Sequence, residues 1–228
     1  MTLMNRALIY FFHCTLFLWI AACGNEDAAS RKQTGADSGV AGNTEAKKRI
    51  VFFGNSLTAG YGLSPDQAFP ALIGAKIDSA GLPYMVVNAG VSGETSSGGN
   101  TRISWILRQP VDVFVLELGA NDGLRGIPLS ETIKSLQSII DKVKATYPSA
   151  KLVLAGMQIP PNMGQKYSTE FRELYPALAQ KNGMTLIPFL LEGVGGEVKL
   201  NQEDGIHPTE EGHQIVAANI WPVLQTIL

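Results

Sequence analysis

From residue 49 onward, short runs of consecutive apolar residues alternate with longer stretches whose apolar positions recur at helical spacing. The runs at 49–53, 84–88, 111–118, 151–157 and 185–189 are rich in Val, Ile, Leu and Phe and show no in-out alternation, the pattern of strands buried on both faces. Between and after them lie helix-like stretches at 68–80, 100–109, 130–147, 168–182 and 209–226. In the third of these, Ile133, Leu136, Ile140 and Val143 mark a core-facing stripe, and Ser130 stands where an N-cap belongs. Asn182-Gly183 reads as a helix stop.

Five strands alternating with helices predict an α/β domain with a parallel sheet covered on both faces. Right-handed crossovers then bring every strand's C-terminal end to one edge, where open α/β sheets bind ligands. The polar residues collect at those ends. The first strand exits into Gly54-Asn55-Ser56, the second into Asn88-Ala89-Gly90-Val91-Ser92-Gly93-Glu94-Thr95, and the third into Gly119-Ala120-Asn121-Asp122. The fifth leads, after a connection, to Asp204-Gly205-Ile206-His207-Pro208. Loops at 123–127 and 158–167 are expected to be mobile segments near the same edge. Each cluster alone is compatible with an ordinary turn; four at successive strand exits point to a site.

A serine hydroxyl is a poor nucleophile until a base takes its proton. His207 is the favoured base for Ser56, because Asp204 three positions earlier lets one loop supply imidazole and orienting carboxylate together. His213 falls in the last helix and is expected to be a partly exposed helical residue. Acyl transfer also needs donors aimed at the developing oxyanion. The Gly93 backbone N–H, the Asn121 amide and the Ser56 backbone N–H are the candidates.

These blocks, Gly54-Asn55-Ser56-Leu57, NAGVSGET, Gly119-Ala120-Asn121-Asp122 and Asp204-Gly205-Ile206-His207, resemble those of the SGNH hydrolases, the GDSL esterase/lipase family. The resemblance runs from about Arg49 to the C-terminus. Gly60-Tyr61-Gly62-Leu63 and NAGVSGETSSGG look most like its bacterial arylesterase and thioesterase I/lysophospholipase type. It implies a flavodoxin-like three-layer α/β/α sandwich with a five-stranded parallel sheet in the order 2-1-3-4-5. It implies Ser56, Asp204 and His207 as catalytic residues, with Ser56, Gly93 and Asn121 as the oxyanion hole. The activity implied is serine esterase action on short to medium acyl or aryl esters. Alternatives are lysophospholipids or thioesters, carbohydrate O-acetyl groups, and, least favoured, a non-catalytic envelope lipoprotein. Leu57-Thr58 after the serine lacks the glycine of the α/β-hydrolase elbow, so loops rather than a cap domain should border the site. Asn55 departs from the family's usual Asp. Its side chain is expected to point away from the nucleophile and tie neighbouring loops together, and Asn55→Asp is expected to keep well over about a tenth of the activity, since supporting contacts cost less than triad members.

Composition narrows the partners. Net charge is -2, and no basic run exceeds Lys47-Lys48-Arg49, so no nucleic-acid footprint is present. Two mature histidines and scattered carboxylates have no metal-ligand spacing, and no Lys-bearing phosphate loop appears, so neither metal nor cofactor is expected. Arg6 followed by the apolar run 7–22 reads as a secretory signal rather than a transmembrane span. Ile20-Ala21-Ala22-Cys23 resembles a lipobox, which implies lipidation at Cys23. Cleavage there removes Cys14 and leaves no free thiol. The expected organisation is a signal peptide over 1–22, a polar tether over 23–48 and a hydrolase domain over 49–228. The expected partners are a small ester or lipid-like substrate and, through the anchor, a membrane on the exported face.

Overall fold

The computed structural model describes residues 46–228. The expected signal peptide, Cys23 and nearly all of the tether lie outside the described residues. Lys48, assigned from sequence to the tether, is the first residue of β1 (Lys48–Gly54), and its N–H donates to the Pro83 carbonyl.

Five strands form one parallel sheet: β1, β2 (Tyr84–Gly90), β3 (Val113–Glu117), β4 (Lys151–Ala155) and β5 (Thr185–Ile187), in the order β2-β1-β3-β4-β5. All four pairings are parallel, and the expected order holds. The interior strand β1 buries Ile50, Val51, Phe52 and Phe53 in succession, because helices cover both faces. On one face, α2 (Phe69–Ser79) packs against β2 and against α7 (Glu210–Gln225). On the other, α3 (Ser96–Ile106) packs against α5 (Leu129–Thr146), and α5 against α6 (Gln165–Asn182). Two short helices, α1 (Ser56–Ala59) and α4 (Ala120–Leu124), follow β1 and β3 directly and carry site residues.

Four local readings need correction. Helix α3 starts at Ser96, four residues before the expected start at 100, and the Thr95 side chain caps it by accepting from the Gly98 N–H. Gly98-Gly99 weakens the helical signal in the sequence. Packing needs the second glycine, since a Cβ at Gly99 would collide with Leu118. Helix α5 starts at Leu129, so Ser130 is inside it and Pro128 holds the N-cap position. The stripe is also rotated: Ile133 is exposed, while Thr132, Leu136, Ile139, Ile140 and Val143 are buried.

Finally, His213 is not partly exposed. It is 1% exposed, and its ring stacks on Phe69 with centroids 6.0 Å apart. Its Nδ1 accepts the Phe69 backbone N–H at 3.1 Å. Helix α2 has no side-chain cap of its own, so His213 satisfies one of the donors its first turn would otherwise leave unpaired.

Candidate active site

The expected clusters meet at the C-terminal edge of the sheet. Strand β1 ends at Gly54, in register with Gly90 of β2 and Glu117 of β3. Asn55 then caps α1, its Oδ1 accepting from the Leu57 N–H at 2.9 Å. Ser56 is therefore the first residue of a short helix, and its backbone N–H is unbonded among the described residues.

Ser56 Oγ lies 2.8 Å from His207 Nε2, and His207 Nδ1 lies 2.6 Å from Asp204 Oδ2. The other Asp204 oxygen accepts the backbone N–H groups of Ile206 and His207, both at 3.0 Å. Desolvation pushes the Asp204 carboxyl up, but the His207 ring and those two N–H groups outweigh it and hold the pKa at about 2. An anionic Asp204 fixes the imidazole with its proton on Nδ1, leaving Nε2 free to accept the Ser56 proton. Tyr61 packs on the His207 ring at a centroid distance of 4.6 Å.

Gly93 and Asn121 border the same cleft as Ser56. The Gly93 N–H has no partner among the described residues. One Asn121 Nδ2 hydrogen donates to the Glu94 carbonyl at 3.0 Å, which leaves the second hydrogen of that amide for a ligand. The cleft has a volume of about 470 Å³, and Leu57, Leu124, Met157, Ile159, Phe189, Leu191 and Ile206 line it beside the polar groups. Its walls come from strand-exit loops and from the segments around 158–160 and 189–196, as expected for a site without a cap domain. Of the two loops expected near this edge, 123–127 contains the last turn of α4, and 158–167 contains a 3-10 turn at Pro161–Met163 and the start of α6. They are joined where the Tyr167 hydroxyl donates to the Ile127 carbonyl at 2.7 Å.

Beneath the site lies a polar layer that sequence reasoning did not find. Glu94 and Arg102 make a two-point ion pair, with Nε–Oε1 and Nη2–Oε2 both at 2.6 Å. The same guanidinium donates to the Ala89 carbonyl at 2.8 Å and stacks on Phe53 at 4.0 Å, which fixes the glycine loop against β1. Asp122, buried, accepts from the Ser96 N–H at 2.8 Å and the Ser96 hydroxyl at 2.5 Å, joining α4 to the start of α3.

Glu117 is the third such carboxylate. It is 1% exposed and receives three hydrogen bonds: the Asn55 N–H at 3.1 Å, the Asn55 Nδ2 at 2.7 Å and the Thr58 hydroxyl at 2.8 Å. Burial raises its pKa to about 7 against the lowering effect of those bonds. The glycine of Gly54-Asn55-Ser56 follows from this packing, since a Cβ there would collide with the Thr58 hydroxyl and the Glu117 carboxylate. Asn55 ties structure together as expected, though its main partner is the end of β3 rather than a loop. It does not point away from the nucleophile, however: its Oδ1 lies 3.5 Å from Ser56 Oγ and it borders the same cleft. The signal for Glu117 was available: it is a lone acid inside the run Val113-Phe114-Val115-Leu116-Glu117-Leu118.

The GDSL-like lipase/acylhydrolase family matches residues 52–215. The chain belongs to that family. It is 39% identical over 184 residues to the esterase TesA of Pseudomonas aeruginosa, an alignment that covers 80% of this chain and 90% of that one. It is 38% identical to the thioesterase 1/protease 1/lysophospholipase L1 of Escherichia coli K12, covering 80% of this chain and 86% of that one. A crystal structure of TesA superposes with a TM-score of 0.76 at 38% identity, covering 79% of this chain and 100% of that one. The family brings with it the chemistry of ester hydrolysis, and the chain is a serine ester hydrolase.

Proposed function

We propose that this family member cleaves short to medium acyl or aryl esters through an acyl-enzyme on Ser56. The observation that carries the reading is the unbroken hydrogen-bonded series Ser56 Oγ–His207 Nε2–His207 Nδ1–Asp204 Oδ2 at the mouth of an apolar cleft. In the proposed sequence His207 takes the Ser56 proton as the hydroxyl attacks the ester carbonyl. Asp204 stabilises the imidazolium that forms. The N–H groups of Ser56 and Gly93 and the Asn121 amide receive the oxyanion, each such donor being worth about a hundred- to a thousandfold in rate. His207 then hands its proton to the leaving alcohol and activates water to release the acid.

The test is hydrolysis of p-nitrophenyl butyrate by the purified protein. Ser56→Ala and a fluorophosphonate are each expected to abolish it; wild-type turnover in Ser56→Ala would end the proposal.

A second reading, lysophospholipid or thioester hydrolysis, is favoured by the cleft's apolar wall of Leu124, Met157, Ile159, Phe189 and Leu191, which offers room for a longer chain. A panel of rising acyl length decides, a rate still climbing beyond about ten carbons favouring lipid. An acetate-only profile would instead favour carbohydrate O-acetyl groups. We also propose export and membrane anchoring through lipid on Cys23. The lipobox-like residues support it, and Cys23→Ser is expected to release the protein from the membrane fraction.

A further inference from the structure

We propose that Glu117 is a positioning residue for Ser56, acting through Asn55, and that Asn55 and Glu117 form a matched donor–acceptor pair in which the amide supplies the hydrogens and the carboxylate accepts them. The proposal rests on the esterase reading of Ser56 and adds a residue that touches no substrate.

The geometry is specific. Both carboxylate oxygens are used, Oε1 by the Asn55 amide and Oε2 by the Asn55 N–H and the Thr58 hydroxyl. The donors flank Ser56 in sequence, so one buried carboxylate grips the helix turn on both sides of the nucleophile. The Asn55 amide is held at both ends, with its nitrogen donating to Glu117 and its oxygen accepting from the Leu57 N–H that starts α1 and lying 3.5 Å from Ser56 Oγ. It cannot flip without placing donor against donor at Leu57. The Ser56 Oγ and its N–H ride on this turn, so a small rotation moves nucleophile and oxyanion donor together. Misplacement of about 1 Å costs as much as a hundredfold in rate.

Ion pairing is not what fixes the turn; complementarity of hydrogens is. With Asp at position 55, two carboxylates face each other across a hydrogen-bond distance and must share a proton to stay there. With Gln at position 117, its NH₂ meets the Asn55 NH₂. Changing both restores the match in reverse. The introduced glutamine amide would donate to the introduced aspartate and still accept from the backbone N–H of position 55 and the Thr58 hydroxyl. The aspartate would still accept from the Leu57 N–H.

The experiment is a double-mutant cycle on kcat and KM with p-nitrophenyl butyrate, using Glu117→Gln, Asn55→Asp and the pair together. Glu117→Gln is expected to lower kcat about tenfold or more and Asn55→Asp less than about tenfold, both with KM within about twofold of wild type, as befits lost positioning rather than lost binding. The double variant is expected to return to within about threefold of wild type. A double variant as slow as the product of the two singles overturns the proposal, as does a folded Glu117→Gln with wild-type kcat. Should Glu117→Gln not fold, Thr58→Val removes one donor from the same carboxylate without changing charge. It is expected to lower kcat about threefold at unchanged KM, and an unchanged kcat overturns the proposal. Failure of the esterase reading itself shows separately, as a wild-type protein no faster than Ser56→Ala.

Discussion

Asp204 and Glu117 are both tied to Ser56, one through His207 and the other through Asn55, and each accepts three hydrogen bonds. Their acidities move in opposite directions. The exposed Asp204 is held at about 2, whereas the buried Glu117 rises to about 7. Hydrogen-bond count is the same, and two things differ: at Glu117 desolvation outweighs the bonds, whereas the more exposed Asp204 also has the His207 charge to lower it. The difference teaches what each carboxylate is suited to. Asp204 is a permanent anion beside the group that becomes positive during the proposed reaction. Glu117 is an acceptor embedded in the core, where geometry matters and free charge is costly.

The sharpest way to break this comparison is to make the same change at both. Asp204→Asn keeps the oxygen that accepts the two backbone N–H groups and turns the other into an NH₂ facing His207 Nδ1. The imidazole is then driven to the wrong tautomer, with its proton aimed at Ser56. A fall in kcat of about a thousandfold or more is expected, at nearly unchanged KM. Glu117→Gln is expected to cost about tenfold to thirtyfold, because it disturbs placement and leaves proton transfer intact. Equal losses at the two sites, read from steady-state kinetics, would erase the distinction between relay and support.

Stability sharpens the comparison with a smaller effect. Glu117 binds its proton more tightly when folded than when unfolded, with its pKa raised from 4.5 to about 7. Its neutral form is therefore favoured by folding. That contribution is complete below pH 4.5 and is lost as pH rises through about 7. Tyr175, pushed well above its ordinary value by burial and then by the charges of Glu117 and Asp122, stays neutral throughout this window. A glutamine at position 117 does not titrate. The melting temperature of Glu117→Gln is thus expected to improve relative to wild type between pH 5 and pH 8, by the equivalent of about 2–3 kcal/mol. A difference that stays flat with pH would mean that folding leaves the acidity of Glu117 unchanged, its hydrogen bonds offsetting its burial.

The relay was legible in the sequence because its residues sit in polar loops where no packing role competes for them. Gly54-Asn55-Ser56 and Asp204-Gly205-Ile206-His207 stand out against the strands beside them. The supporting layer was hidden for the opposite reason. Glu117 stands out only as a lone acid inside a strand run, with nothing local to name its partners, and Glu94 finds Arg102 only because α3 starts early, at Ser96. The strand order came from the resemblance; the alternation alone gave a covered parallel sheet. Partnerships across the fold, such as Gly54 packing on Glu117 or His213 on Phe69, carry no local signature at all.

His213 gives the smallest and most selective test, since it contrasts with His207 as Glu117 does with Asp204. Burial, with a minor effect from His207, lowers the His213 pKa from 6.5 to about 4, so the folded protein holds it neutral as the acceptor of the Phe69 N–H. A depressed pKa stabilises the fold above the unfolded value of 6.5 and loses that contribution as pH falls toward about 4. Between pH 6.5 and 5, where most carboxylates remain charged, the loss is expected to be about 1–2 kcal/mol. His213→Gln, whose oxygen can still accept from Phe69, is expected to be less stable than wild type at pH 8. Its melting temperature should fall less steeply through that acid window. Parallel melting curves for the two proteins would show that the acid sensitivity arises elsewhere, and that the buried histidine is a cap whose protonation does not govern the fold.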